Sequence, residues 1–394
     1  MENIENTPKY LDVYPYSRGK RILLFLADFF VTFIISIFIF SFVTFLIAKH
    51  VSDYDNRSTK IGENEYRQVE ILYNNNILYS DVELKKLEIS TALTYTGKQM
   101  ISYFVNSTAT NVFDNFYVKV ANKSVNEVAE MIKSRDTSNL FFSSEKDING
   151  YYKMKPEIID EFKPAFDPQD QMSAQGQKDY NSFLKNLFLP MYTVMLQEIR
   201  TTNIVPSTSP LAEIKTLYKE NVDTQNFLDN VVQISALVSY FVGVTFLFLV
   251  IPLFSKRNKT IGCMALRVCT VSKDSFHILK KSEVVLRYFY ALLLNLPSII
   301  FLPIAYIKFS YIFSYGYLLY PSLIMLGYLI ISMFVTFFSN YNQTLTDMMT
   351  RTITIEDSML DKVVKLNKNI RDSLKKKELE ENEHKTGRSV KYDN

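Results

Sequence analysis

The chain has 394 residues, with 44 Lys and Arg against 41 Asp and Glu, three His, two Cys and a formal net charge of +3. Its basic residues flank apolar runs instead of forming one patch, so nucleic-acid binding is unsupported, and two cysteines do not build a disulfide scaffold. Mean hydropathy lies near zero because very apolar stretches average with very polar ones, so the stretches decide the class.

Residues 1–21 are polar. Four apolar runs follow along the chain, at 22–48, 230–254, 288–307 and 317–339. Each has the roughly 20 residues that a helix needs to cross a hydrocarbon layer of about 30 Å. The expected fold is therefore an α-helical polytopic membrane protein with four transmembrane helices. The first run is too long for the apolar core of a cleavable signal peptide and is read as an anchor. It contains Asp28, and a carboxylate at such depth is a functional hypothesis because desolvating it is costly.

Lys9, Arg18, Lys20 and Arg21 precede the first run, and Lys256, Arg257, Lys259, Arg267, Lys273, Lys280, Lys281 and Arg287 follow the second. The turn at 308–316 has only Lys308. The excess of Lys and Arg puts both termini and the loop 255–287 in the cytoplasm, and residues 49–229 outside the cell membrane. That outer segment has the size of one domain and reads as mostly helical, with apolar residues at three- and four-residue spacing in 87–105, 125–132 and 183–199. Residues 70–79 and 150–154 read as strands or loop anchors. Pro156, Pro164 and Pro168 interrupt the middle, and Asp167 and Asp170 beside Pro168 read as an acidic turn. Ser209 before Pro210 is a helix start signal, after which one helix is expected to continue into the second span.

In the loop 255–287, Cys263 and Cys269 lack the neighbours of a metal site and read as ordinary loop residues. Residues 272–287 carry apolar and basic positions that suit either an interfacial helix on anionic headgroups or a plain positive loop. Asn295, Pro297 and Pro303 perturb the third span. Past the fourth, Met359, Val363, Leu366, Ile370 and Leu374 keep helical spacing, and 375–394 has the mixed dense charge of a disordered end.

The segment Asn342-Gln343-Thr344-Leu345-Thr346-Asp347, followed by the β-branched run 352–355, resembles the C-terminal signature of the RDD family of membrane proteins. Arg21 and Asp28 stand in the family's Arg, six residues, Asp arrangement, and Thr260-Ile261-Gly262 resembles its loop before the third span. Arg21, Asp28 and Asp347 are thus the signature residues that the resemblance implies, with Thr260, Gly262, Gln343 and Leu345 in support. The family normally has a short link where residues 49–229 stand here. Along a helix, seven residues advance about 10.5 Å and nearly two turns, so Arg21 and Asp28 share a face without a relaxed direct pair. Arg287, Thr260 and the amides near Gly262 are candidate partners of Asp28.

Two function classes compete. An accessory or scaffold protein would use the signature as an ion-paired clasp and the outer domain to bind an envelope component or partner protein; this reading is preferred because the outer domain is so large. The alternative, which the resemblance implies, is a cation/proton antiporter with Asp28, Asp347 and Asn295 as the candidate ion-binding residues for a monovalent cation or proton. A homo-oligomer is a candidate partner state. No cofactor is expected, and no enzyme, since His50, His277 and His384 are scattered without a catalytic grouping.

Overall fold

A computed structural model describes residues 15–83, 88–106, 110–167, 170–273, 276–295, 316–362 and 364–365. The chain divides into two compact units, one of Met1–Ser52 with Asp229–Asn394 and the other of Asp53–Leu228. Helix α1 (Arg18–Val51) opens the first unit and relaxes into a π turn at Phe40–Thr44.

The second unit starts at Asp53, whose left-handed backbone turns the chain into α2 (Tyr54–Asn74). Helix α3 (Ile89–Asn106) precedes α4 (Val125–Arg135), which begins in a capping box: Ser124 Oγ accepts from Glu127 N, and Glu127 Oε2 accepts from Ser124 N at 2.7 Å. A hairpin of β1 (Phe142–Lys146) and β2 (Tyr152–Met154) leads to α5 (Pro156–Phe162), α6 (Ala174–Ser182) and, through a π turn at Phe183–Phe188, to α7 (Leu189–Thr201). Phe183 stands at the centre of an aromatic core, edge-on to Phe141 and Phe162, while Phe113, Phe116, Leu187, Phe188 and Met195 are fully buried around it. The helical patterns at 87–105, 125–132 and 183–199 thus appear with ends moved by a few residues. Residues 150–154 supply a strand, but 70–79 do not: they end α2 and continue as a loop whose Ile77 carbonyl accepts from Tyr192 OH at 3.1 Å. Pro168 lies outside the described residues.

In the first unit, α1 is inside out by the standards of a protein in water. Phe30, Ile34, Phe38, Phe42 and Ile47 are each more than half exposed, whereas Thr32, Ser36 and Ser41 are buried. Lipid explains both, since it solvates the apolar side and leaves small polar groups to the helix contacts. The partner is α8 (Ala212–Phe254), 43 residues long, which agrees with the single helix expected from Ser209 onward. A side chain at Gly243 of α8 would collide with Ser36 Oγ, and Thr44 Oγ1 bonds Ser239 Oγ.

The segment after α8 holds α9 (Ile261–Ala265) and β3 (Val268–Ser272), followed by α10 (Lys281–Leu294). Expectation and structure part here. Residues 272–287 are not one interfacial helix, because Ser272 ends a strand, Phe276 is left-handed and α10 starts only at Lys281. Backbone partners for β3 come from β4, and that pairing takes Ser272 away from any helix. Asn295 ends α10, its Nδ2 donating to the Ala291 carbonyl at 2.9 Å. Residues 296–315, with Pro297, Pro303 and the rest of the expected third span, lie outside the described residues. Helix α11 (Gly316–Phe338) occupies the fourth run, and α12 (Leu345–Met349) and β4 (Thr352–Glu356) follow it. Leu360 packs on the β3–β4 sheet; Val363 and residues 366–394, including most of the tail pattern, lie outside the described residues.

Residues 255–272 and 339–356 are two copies of one unit, offset as Thr270 is from Thr354, with Ser, Asn, Thr, Met, Arg and Thr identical at matching places. In each, the chain leaves a long helix and turns on a left-handed Asn (Asn258, φ 50; Asn342, φ 52) whose amide donates to the Ser carbonyl at 3.2 Å. A Thr then caps a short helix, accepting at 3.2 Å from Cys263 N in one copy and Asp347 N in the other. A left-handed Arg (Arg267, φ 54; Arg351, φ 49) finally sends the chain into the strand. The strands pair antiparallel with Thr270 opposite Thr354, so a pseudo-two-fold axis passes through that pair. Flanking bonds obey it, with Asp357 N on the Arg267 carbonyl and Lys273 N on the Arg351 carbonyl.

Candidate functional site: a buried charge cluster at the helix ends

Thr344 caps α12, and the third residue of that helix, Asp347, folds back on it, accepting from Thr344 N at 3.2 Å and Thr344 Oγ1 at 3.0 Å. That turn points the carboxylate at two guanidiniums. Arg21 donates through Nε at 3.0 Å and through Nη2 to Asp347 Oδ2, and Arg287 Nη1 donates to Oδ1 at 2.8 Å. Arg287 Nη1 also reaches Thr352 Oγ1 at 2.6 Å, and Thr352 Oγ1 donates to Oδ1 at 3.3 Å. Asp347 is fully buried. Burial would raise its pKa, but the guanidiniums of Arg21 and Arg287 outweigh burial and hold the carboxyl well below the usual carboxylate range.

Asp28 belongs to the same region but not to the same pair. Its Oδ2 accepts from Thr260 Oγ1 and its Oδ1 from Gly262 N, both at 3.1 Å. Only a glycine permits this approach, because a Cβ at position 262 would run into Asp28 Oδ1 and lie 3.2 Å from Leu24 Cδ1. Beside Asp28 lies a cavity of about 70 Å³, room for several waters, lined among others by Arg21, Asp28, Cys263, Arg287, Asn295 and Thr346. Thr346 Oγ1 is buried there without a hydrogen-bond partner among the described residues.

Arg21, Asp28, Asp347, Thr260 and Gly262 are therefore brought together. Gln343 and Leu345 act as supports: Gln343 Nε2 donates to the Thr352 carbonyl at 2.7 Å, and Leu345 N donates to Ser332 Oγ of α11 at 3.1 Å. Asn295 lines the cavity, with its Nδ2 turned back to its own helix. Among the candidate partners of Asp28, Thr260 and Gly262 hold it, while Arg287 goes to Asp347. Thr344, Thr352 and Asn342 stand in the signature segment without a role legible there; in the structure Thr344 and Thr352 bond Asp347, and the Asn342 side chain accepts from Arg18 Nε at 3.1 Å and donates to the Tyr16 carbonyl at 2.9 Å. The internal repeat signals two of them, marking Asn342 and Thr344 as counterparts of Asn258 and Thr260. Cys269 is buried, and burial pushes its thiol up to about 11. Among the described residues no group of His, Cys, Asp and Glu is placed to hold a metal ion.

Long helices that expose apolar residues, turn polar ones inward and end in a buried charge cluster define a helical membrane protein. The RDD family, a family of membrane proteins, matches residues 190–351, which include the Thr260–Gly262 loop, Arg287 and Asp347. Arg21 and Asp28 precede the match and join it only in space. No curated protein and no solved structure matches the chain.

Proposed function

We propose that the chain is an accessory or scaffold component of the cell membrane, with both termini and the loop 255–287 in the cytoplasm and residues 49–229 outside. There the outer domain binds an envelope component or a partner protein. The observation that carries this reading is the saturation of Asp347. With two guanidiniums and the hydroxyls of Thr344 and Thr352 on its oxygens, the carboxylate joins α1 and α10 to the segment after α11 and offers no ready place to a travelling ion. The cluster then serves structure, and recognition falls to the outer domain. Crosslinking of the full chain in native membranes, followed by identification of the captured proteins, tests this reading. Capture lost on removal of residues 53–228 supports it, and unchanged capture refutes it.

The cavity beside Asp28 favours a second reading, cation/proton exchange, in which Asp28 binds the ion and Asn295 and Thr346 face it. Sodium or proton flux in proteoliposomes distinguishes the two. Flux that vanishes in Asp28→Asn supports exchange, and flux absent from the parent chain or unchanged in the variant removes it.

A further inference from the structure

The short helices of the repeat fold back beside the long ones. Gly262 of α9 packs against Leu24 and Asp28, ten residues into α1, and Met349 Sδ of α12 lies 3.4 Å from Tyr328 OH, ten residues before the end of α11. Ten residues are about 15 Å of helix, so both short helices re-enter to the depth of a leaflet's headgroups and upper acyl chains. Their outward sides are apolar: Met264, Met348 and Met349 are 44%, 49% and 53% exposed.

One turn further on, each copy places an exposed Arg in left-handed backbone, Arg267 and Arg351. That conformation disfavours any side chain but Gly, Asn or Asp, and the repeat uses Asn at its other left-handed position. Backbone geometry therefore gives no reason for arginine twice, and neither guanidinium has a partner among the described residues. The other identities of the repeat all have structural roles as caps, turns or the strand centre. Met and Arg alone are identical and exposed. An apolar knob at acyl depth with a bidentate cation beyond it is the complement of a phospholipid, and Lys256, Lys280 and Lys281 add exposed positive charge on the same loop.

We propose that Arg267 and Arg351 bind the phosphates of anionic phospholipids, one lipid at each pseudo-equivalent place, with Met264 and Met348–Met349 against the acyl chains. The full chain, reconstituted in nanodiscs of phosphatidylglycerol with phosphatidylcholine, would be released and its retained lipids counted by native mass spectrometry. The parent should retain about two phosphatidylglycerol molecules in preference to phosphatidylcholine. Arg267→Asn and Arg351→Asn should each lose one and the double variant both, with melting unchanged or raised because Asn accepts left-handed backbone. Arg→Lys at either place should retain part of the binding. A folded double variant that keeps the parental count overturns the proposal. So does a parent without headgroup preference, or an equal loss in Lys280→Gln/Lys281→Gln, which would mean diffuse charge in place of two sites.

Discussion

Asp347→Asn is the sharpest perturbation of the clasp, since it keeps the shape of the side chain and removes the charge that two guanidiniums share. Arg21 is 5% exposed and has no other acidic partner within bonding distance among the described residues, so it is left as an uncompensated buried charge. Removing one member of a buried pair costs about 3–5 kcal/mol. Arg287, whose side chain is 22% exposed, recovers part of its loss through water, so the lower end of that range, about 3 kcal/mol, is expected. For a unit of this size that is a fall of roughly 6–12 °C in melting temperature. A thiol-reactive fluorophore reads this unit selectively, because Cys263 and Cys269 are both buried in it and are the only cysteines of the chain. Arg21→Gln should cost much less in the Asp347→Asn background than in the parent. Asp347 is held below its unfolded-state value, so its contribution is present above about pH 4 and is lost as pH falls toward the depressed folded value. The melting gap between the parent and Asp347→Asn should therefore be constant from about pH 8 to 5 and close below 4. An Asp347→Asn variant that melts within about 2 °C of the parent would refute the clasp.

Gly262→Ala should cost about 1–3 kcal/mol by forcing Asp28 and Leu24 away, and Asp28→Ala should restore much of it; thiol melting of the single and double variants checks both. Tyr151→Phe removes the phenol that donates to Asp114 Oδ1 in the second unit and should cost about 1–3 kcal/mol at neutral pH, read by hydrogen exchange over α3 and the β1–β2 hairpin. Burial raises the carboxyl of Asp114, so its protonated form favours folding at low pH and that contribution is lost as pH rises; the gap between variant and parent should narrow toward pH 4. Asn258→Val should be about 1–2 kcal/mol worse than Asn258→Gly, because φ 50 excludes a β-branched side chain, and equal melting of the two would count against the left-handed turn.

Much of the unit that carries the cluster was legible in the residues. Apolar length marks the helices, and Asp28 and Asp347 stand out because charge near lipid needs a reason. The helices of the second unit follow from three- and four-residue spacing, while residues 70–79, which read as a strand or a loop anchor, take the second form, since Ile77 and Leu78, both buried, fill the core from an irregular segment. The β3–β4 sheet escaped: each strand is five residues long and its partner is more than eighty residues away, so no local period reports the pair. The doubled Ser-x-x-Asn-x-Thr element was readable, and it foretells the two turns, the two caps and the strands that follow.

What local sequence sets here is the length and solvent of each helix, the caps at Thr260 and Thr344, and the presence of charges that must be matched. The match itself belongs to the assembled unit. Arg21 meets Asp347 across 326 residues, Asp28 meets Thr260 across 232, and Arg287 takes Asp347 instead of Asp28. Arg21 and Asp28 share a helix face but stand too far apart for a relaxed pair, and a buried guanidinium is best satisfied by a carboxylate that can present one oxygen to two of its N–H groups. The capping turn of α12 delivers Asp347 in that geometry, while the backbone amide at Gly262 and the Thr260 hydroxyl satisfy Asp28.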